Sequence, residues 1–114
     1  MTIERFEKGS RMSQAVVHGN TVYLAGQIGE GPDMTRQTQS MLAEVDRLLA
    51  SVGSSKSSIL SAQIWVSDMG DVDAMNNVWD AWIDVQNPPA RACVESKLVS
   101  PDFLVEVMII AAKE

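Results

Sequence analysis

The chain has 114 residues, 46% of them hydrophobic and 21% charged, which supplies a core for one packed domain over residues 1–114 and leaves no length for two catalytic ones. Nine Lys and Arg against fifteen Asp and Glu give a net charge of −6, which repels polyanions and makes nucleic acid an unexpected partner. One cysteine and one histidine exclude an internal disulfide and a Cys/His zinc site, so stability is expected from packing.

Ile3–Glu7 reads as a short opening strand. The surrounding segment Met1–Ser10 mixes Glu4 and Glu7 with Arg5 and Lys8 and shows no apolar leader, so a cytoplasmic address is expected. Ala15–His18 and Thr21–Ile28 are β-rich runs separated by Gly19-Asn20, a pair suited to positive φ, which predicts a hairpin with His18 as a turn residue. Gly29–Asp33 then breaks the pattern, and Asp33 can cap a helix beginning near Met34. Within that helix Met41, Leu42, Val45, Leu48, Leu49 and Val52 recur at three- and four-residue spacing, and Gly53 closes it.

Ser54–Ser58 is too short for a domain linker, and Ile59–Val66 follows as a mostly buried strand. Asp71 is placed to cap a second helix along which Val72, Met75, Val78, Trp79 and Trp82 form one apolar stripe, ending before Asn87-Pro88-Pro89. On such a stripe the tryptophans read as core, not as a stacking platform for bases. Arg91–Leu98 and Leu104–Ala112 are the last strands, joined through Pro101-Asp102 and expected to form a second hairpin. Leu104–Ala112 contains Glu106 and falls far short of the ~20 apolar residues that span a bilayer, so no membrane segment is expected.

The predicted order is β-β-β-α-β-α-β-β. The strand-helix-strand passage from Thr21 to Val66 implies a parallel pairing and the two hairpins antiparallel ones, hence a mixed α+β sheet. Two helices cover one sheet face, whereas Val16-Val17, Val22-Tyr23-Leu24 and Val107-Met108-Ile109-Ile110 put apolar residues on both. Further copies of the chain are the economical cover for the second face, in a closed homo-oligomer.

Glu106 is the anomaly in this pattern, a carboxylate with apolar neighbours on either side. Such a group must face a cleft, find a cation or hold a raised pKa. A hairpin of the last two strands sets Arg91 opposite it, with Cys93 and Glu95 on the same face by the two-residue period. Two readings stay open for the pair: a buried Arg-Glu contact without function, or a rigid guanidinium that grips the carboxylate of a small 2-oxo or 2-imino acid. Cys93 lacks a partner base and reads as structural or ligand-lining. Asn76 either orients a polar substrate group or simply faces solvent. Gly26 allows close approach by a ligand or by another backbone.

The segments Tyr23-Leu24-Ala25-Gly26-Gln27-Ile28, Asn87-Pro88-Pro89-Ala90-Arg91-Ala92-Cys93-Val94-Glu95 and Leu104-Val105-Glu106-Val107 resemble the Rid family (RidA/YjgF, the enamine/imine deaminases). The resemblance covers nearly the whole chain. It implies a chorismate-mutase-like fold with two helices on one face of a mixed sheet, assembled as a homotrimer with three inter-subunit clefts. It further implies hydrolysis of 2-imino acids, tautomers of 2-aminoacrylate and related enamines, to 2-oxo acids and ammonia, without metal or cofactor. By position, Arg91 matches the carboxylate-binding arginine, Glu106 the residue that handles water, Cys93 the cleft cysteine, and Gly26 and Asn76 further cleft positions. Met12, Ala25 and Met108 stand where the archetype has tyrosine, serine and a second glutamate, which implies a less polar cleft and a neighbouring subgroup. Two other readings accompany this one. The first is a metabolite-binding or protein-interaction trimer without turnover. The second, a ribonuclease or translation inhibitor, is disfavoured by the acidic charge and the lack of a basic stripe.

Overall fold

The computed structural model describes all residues, Met1–Glu114. Six strands and two helices follow one another as β1 (Ile3–Lys8), β2 (Ser13–His18), β3 (Thr21–Leu24), α1 (Met34–Ser51), β4 (Ile59–Val66), α2 (Val72–Trp82), β5 (Ala90–Glu95) and β6 (Val105–Ala112). The first hairpin turns at Gly19, φ 63°, and sets β2 antiparallel to β3 with Val16 opposite Tyr23. Asp33 caps α1 by accepting the Arg36 N–H at 2.9 Å, and Gly53, φ 79°, ends it. At α2 the capping position is Asp71, as its place in the sequence suggests, but its side chain makes no capping bond. Asp68 instead accepts the Gly70 N–H, fixing the short turn that leads into the helix.

The strands form one mixed sheet in the order β1-β2-β3-β6-β4-β5. This corrects two expectations. The last two strands are not a hairpin: β4 lies between them, antiparallel to β6 and parallel to β5. The adjacent parallel pair is therefore the one joined through α2, while β3 and β4 run in the same direction with β6 between them. Burial accounts for the arrangement. Val105, Val107, Ile109 and Ala111 of β6 are fully buried, as suits a central strand, whereas β5 is mostly exposed, as suits an edge.

Both helices lie on one side of the sheet. The 21 buried apolar residues form one cluster, and every strand residue among them points to that side, since Val17 pairs with Val22, Val22 with Ala111 and Ile109 with Ala62 and side-chain direction repeats every two residues. Leu42, Leu48, Leu49, Ile64 and Ile109 are at its centre, each contributing roughly 1.5–3 kcal/mol by leaving water. The opposite face carries Val16, Tyr23, Trp65, Met108 and Ile110 with nothing of this chain over it; Tyr23 is 41% and Met108 44% exposed.

One buried polar residue fixes the strand that matters most below. The Gln37 amide on α1 donates to the carbonyls of Gly31 (3.1 Å) and Asp102 (2.9 Å). Its oxygen accepts the Leu104 N–H at 2.8 Å. The turn before α1 and the lead-in to β6 are thus tied to one side chain, which satisfies backbone groups that would otherwise be buried unpaired.

Candidate functional site

Along β6 the side chains alternate strictly, buried at Val105 and Val107 and partly exposed at Glu106 and Met108. Glu106 therefore stands on the open face, beside its register partner Trp65. Tyr23 pairs with Ile110 and Gln27 with Val107, so the segment leading out of β3 holds one residue more than the β6 segment it faces. That bulge contains Ala25 and Gly26. Gln27 and Val107 exchange backbone bonds of 2.8 and 3.0 Å, and the Gln27 amide donates to Gln14 Oε1 (2.9 Å) and to the Ala25 carbonyl (3.0 Å). The result brings Gly26 against the Glu106 carboxyl group, where a Cβ would overlap it. The Glu106 carboxylate makes no ion pair with any cation of its own chain.

Arg91 is delivered by a different device. Asp84 accepts from Ser57 Oγ (2.8 Å), the Gln86 N–H (3.0 Å) and Asn87 Nδ2 (3.0 Å), and the Asn87 and Ser57 bonds hold its carboxyl below the usual carboxylate range. This fixes the turn before Pro88-Pro89 and hence the start of β5. Arg91, Cys93 and Glu95 are register partners of Ala62, Ile64 and Val66, all buried, and so point to the helix side. The Arg91 guanidinium lies over the Trp79 ring of α2, 5.3 Å from its centroid, and has no carboxylate partner within the chain. Glu95 is engaged elsewhere, accepting the Met69 N–H at 2.9 Å. Burial pushes the Cys93 thiol up, and the Arg91 charge offsets this only in part. One turn before Trp79, Asn76 has a buried Oδ1 with no hydrogen-bond partner.

The predicted residues thus fall into two groups. Ala25, Gly26, Glu106 and Met108 belong together around the bulge. Met12, 47% exposed, lies two residues before Gln14, whose carbonyl accepts the Ala25 N–H. Arg91 and Cys93 share the helix side, as parity required, with Asn76 on the helix beneath. The expected Arg91–Glu106 pairing across a hairpin does not occur, because β4 separates the strands and the two side chains leave opposite faces of the sheet. A shallow depression of about 290 Å³ at the β5 edge includes Arg91, Ser61 and Gln63; the larger groove between α1 and α2, about 680 Å³, holds none of these residues. Sequence reasoning missed Trp79 as the rest for Arg91 and Gln27 as the clamp on the bulge. Trp79 is 5% exposed and reads from spacing as core. The signal for Gln27 was a buried-strand position occupied by an amide.

Comparison with known proteins agrees with this architecture. Residues 2–113 match the family model described as Endoribonuclease L-PSP. A RutC family protein from Haemophilus influenzae is 44% identical, covering 97% of this chain and 98% of its own. RutC family protein YoaB from Escherichia coli is 42% identical, covering 98% and 99%. The crystal structure of a YjgF family member from Neisseria meningitidis superposes with a TM-score of 0.98 at 43% identity, over 100% of this chain and 97% of that one.

Proposed function

The chain belongs to the RutC/YjgF (Rid) family, and on that footing we propose that it hydrolyses reactive 2-imino acids to 2-oxo acids and ammonia, in clefts between three copies of the chain. The observation that carries this reading is a pair of opposite charges, each unpartnered in its own chain, on opposite faces of one sheet. A cation that keeps all its donors unused suits a carboxylate ligand. A carboxylate beside an apolar wall suits proton transfer to and from water. Since Arg91 and Glu106 leave opposite faces, one cleft uses Arg91 of one copy and Glu106 of the next, with the apolar open face as the packing surface.

In this mechanism Arg91 binds the substrate carboxylate and the Cys93 backbone steadies it. Glu106 takes a proton from water as the oxygen attacks the imine carbon, forming a tetrahedral carbinolamine. Glu106 returns that proton to nitrogen and then carries the carbinolamine hydroxyl proton to the same nitrogen, so that the C=O bond forms as the C–N bond breaks and ammonia leaves with the 2-oxo acid behind. Gly26 leaves the space in which the Glu106 carboxylate sits, Asn76 offers an acceptor to the substrate, and Met12, Ala25 and Met108 line the apolar side. The test is hydrolysis of imino acids generated in situ by an amino-acid oxidase. Acceleration by the wild-type protein that disappears in Arg91→Ala supports the reading; equal rates for the two proteins defeat it.

A second reading, ligand binding without turnover, draws on Met108 and Ala25: with them in place Glu106 is the one carboxylate in its row to move protons. Saturable pyruvate binding without hydrolysis of any imine would select it. The ribonuclease activity in the family model's description finds little support in a net charge of −6 and a lone histidine, His18, exposed beside a hairpin turn.

A further inference from the structure

An arginine that serves as an anion receptor must be held in place without being neutralised. A counter-carboxylate would fix the guanidinium but consume its donors and its charge. Here the chain offers none: Arg91 forms no salt bridge, and the acid four residues on along the same face, Glu95, is bound to the Met69 N–H. What Arg91 has is an aromatic face, the Trp79 ring at 5.3 Å. That ring is itself fixed, being 5% exposed and packed against Trp82 with centroids 5.3 Å apart and planes at 57°. Trp82 in turn donates its Nε1–H to Asp46 of α1 at 2.9 Å. A continuous chain of contacts therefore runs from α1 through two indoles to the guanidinium.

We propose that Trp79 is a positioning residue for the anion receptor: its π face holds the Arg91 guanidinium over α2 by a cation–π contact while leaving every N–H free for a substrate carboxylate. The proposal rests on the reading of Arg91 as that receptor. An aromatic rest suits this task because it attracts the cation through the ring quadrupole and has no lone pair in the guanidinium plane with which to occupy the donors. It also preorganises the receptor, since a long side chain free to rotate would lose its rotamer freedom on binding.

The experiment is titration of the assembled protein with pyruvate by calorimetry, comparing wild type, Arg91→Ala, Trp79→Leu, and proteins carrying tryptophan analogues of increasing ring fluorination at position 79 alone. Fluorination weakens the ring quadrupole and leaves the shape of the indole nearly unchanged, so this series remains informative where Trp79→Leu fails to fold. The expected result is loss of pyruvate binding in Arg91→Ala, about five- to thirty-fold weaker binding in Trp79→Leu, and a stepwise rise of Kd along the fluorinated series. A purely structural Trp79 would give a flat series. Flat Kd values with binding still dependent on Arg91 overturn the positioning role and leave the receptor intact. Pyruvate binding that survives in Arg91→Ala overturns the receptor and the positioning role together.

Discussion

Gly26 and Glu106 are in direct contact: a Cβ built on Gly26 would stand 3.1 Å from the Glu106 carboxyl carbon and closer still to one of its oxygens. The Gly26 backbone does not occupy the left-handed region, so alanine is conformationally acceptable there. What has to move is the flexible end of Glu106.

Gly26→Ala should therefore leave folding nearly untouched and damage chemistry. We expect a melting temperature within a degree or two of wild type and a fall in imine hydrolysis of about 10–100-fold, the scale on which a displaced catalytic group acts. Parallel thermal melts and turnover measurements check this. A large loss of stability with normal turnover per folded molecule would contradict it.

Removing Arg91 should have the reverse asymmetry to removing a buried ion-pair partner. Because no carboxylate of its own chain is left behind, Arg91→Ala should cost little stability. Its effect should fall on ligand affinity, with KM for imino acids raised about 30-fold or more, as for truncation of one member of a charge pair. Arg91→Lys should recover only part, since an ammonium cannot make the planar two-bond contact.

If one cleft draws on two copies, two inactive variants should repair each other. Arg91→Ala and Glu106→Gln, unfolded together and reassembled in equal amounts, should regain about a quarter of wild-type activity, the share of clefts in randomly mixed trimers that receive both intact groups. Separate refolding should regain none. Absence of recovery in verified mixed assemblies would place both groups within one subunit's site.

The Cys93 thiol, raised by burial and only partly drawn back by Arg91, should alkylate slowly near neutral pH. Its rate should climb at higher pH than for an ordinary cysteine, and Arg91→Ala should push that midpoint up further by deleting the stabilising charge. Cys93→Ala should keep turnover within about ten-fold of wild type, since the thiol is given no covalent step.

Three carboxyl groups contribute to the acid limb of the stability profile. Glu7 is lowered chiefly by its hydrogen bonds from Arg47, Asp84 by Asn87 and then Ser57, and Glu114 by Ser55 and Ser58. Each folded value lies below the unfolded one, so each contribution is complete above the ordinary carboxylate range and is lost as pH falls through the folded value. Urea midpoints should be level from about pH 7 to pH 5 and drop below about pH 4. The double variant Ser55→Ala, Ser58→Ala should be less stable at neutral pH and lose less on acidification. An unchanged slope would show that Glu114 takes no part.

Much of the fold was legible because single segments carry their own instructions. The spacing from Met41 to Val52, the Asp33 cap and the Gly53 stop give α1, and the Gly19-Asn20 turn gives the first hairpin. Strand adjacency was not legible in the same way. The short link through Pro101-Asp102 suits a hairpin locally, and only the competition among strands for the central position sends β6 between β3 and β4. The candidate site inherits that ambiguity. Residue types and the parity of Arg91, Cys93 and Glu95 could be read directly, but whether Glu106 shares a face with Arg91 depends on the registers of β4 with β5 and β6. Trp79 was hidden by its own burial, since a helix stripe records that a ring is inside and not what rests on it.

The clamp that Gln37 places on Asp102 and Leu104 has a consequence for alignment. A strand slipped by a single position presents its former interior to water and its former exterior to the core. For β6 such an offset would drive a carboxylate into the hydrocarbon beneath the helices and expel valines outward. By anchoring the residue immediately ahead of β6 to the first helix, one glutamine sets the phase of the whole strand, and with it which side of the protein carries an acid.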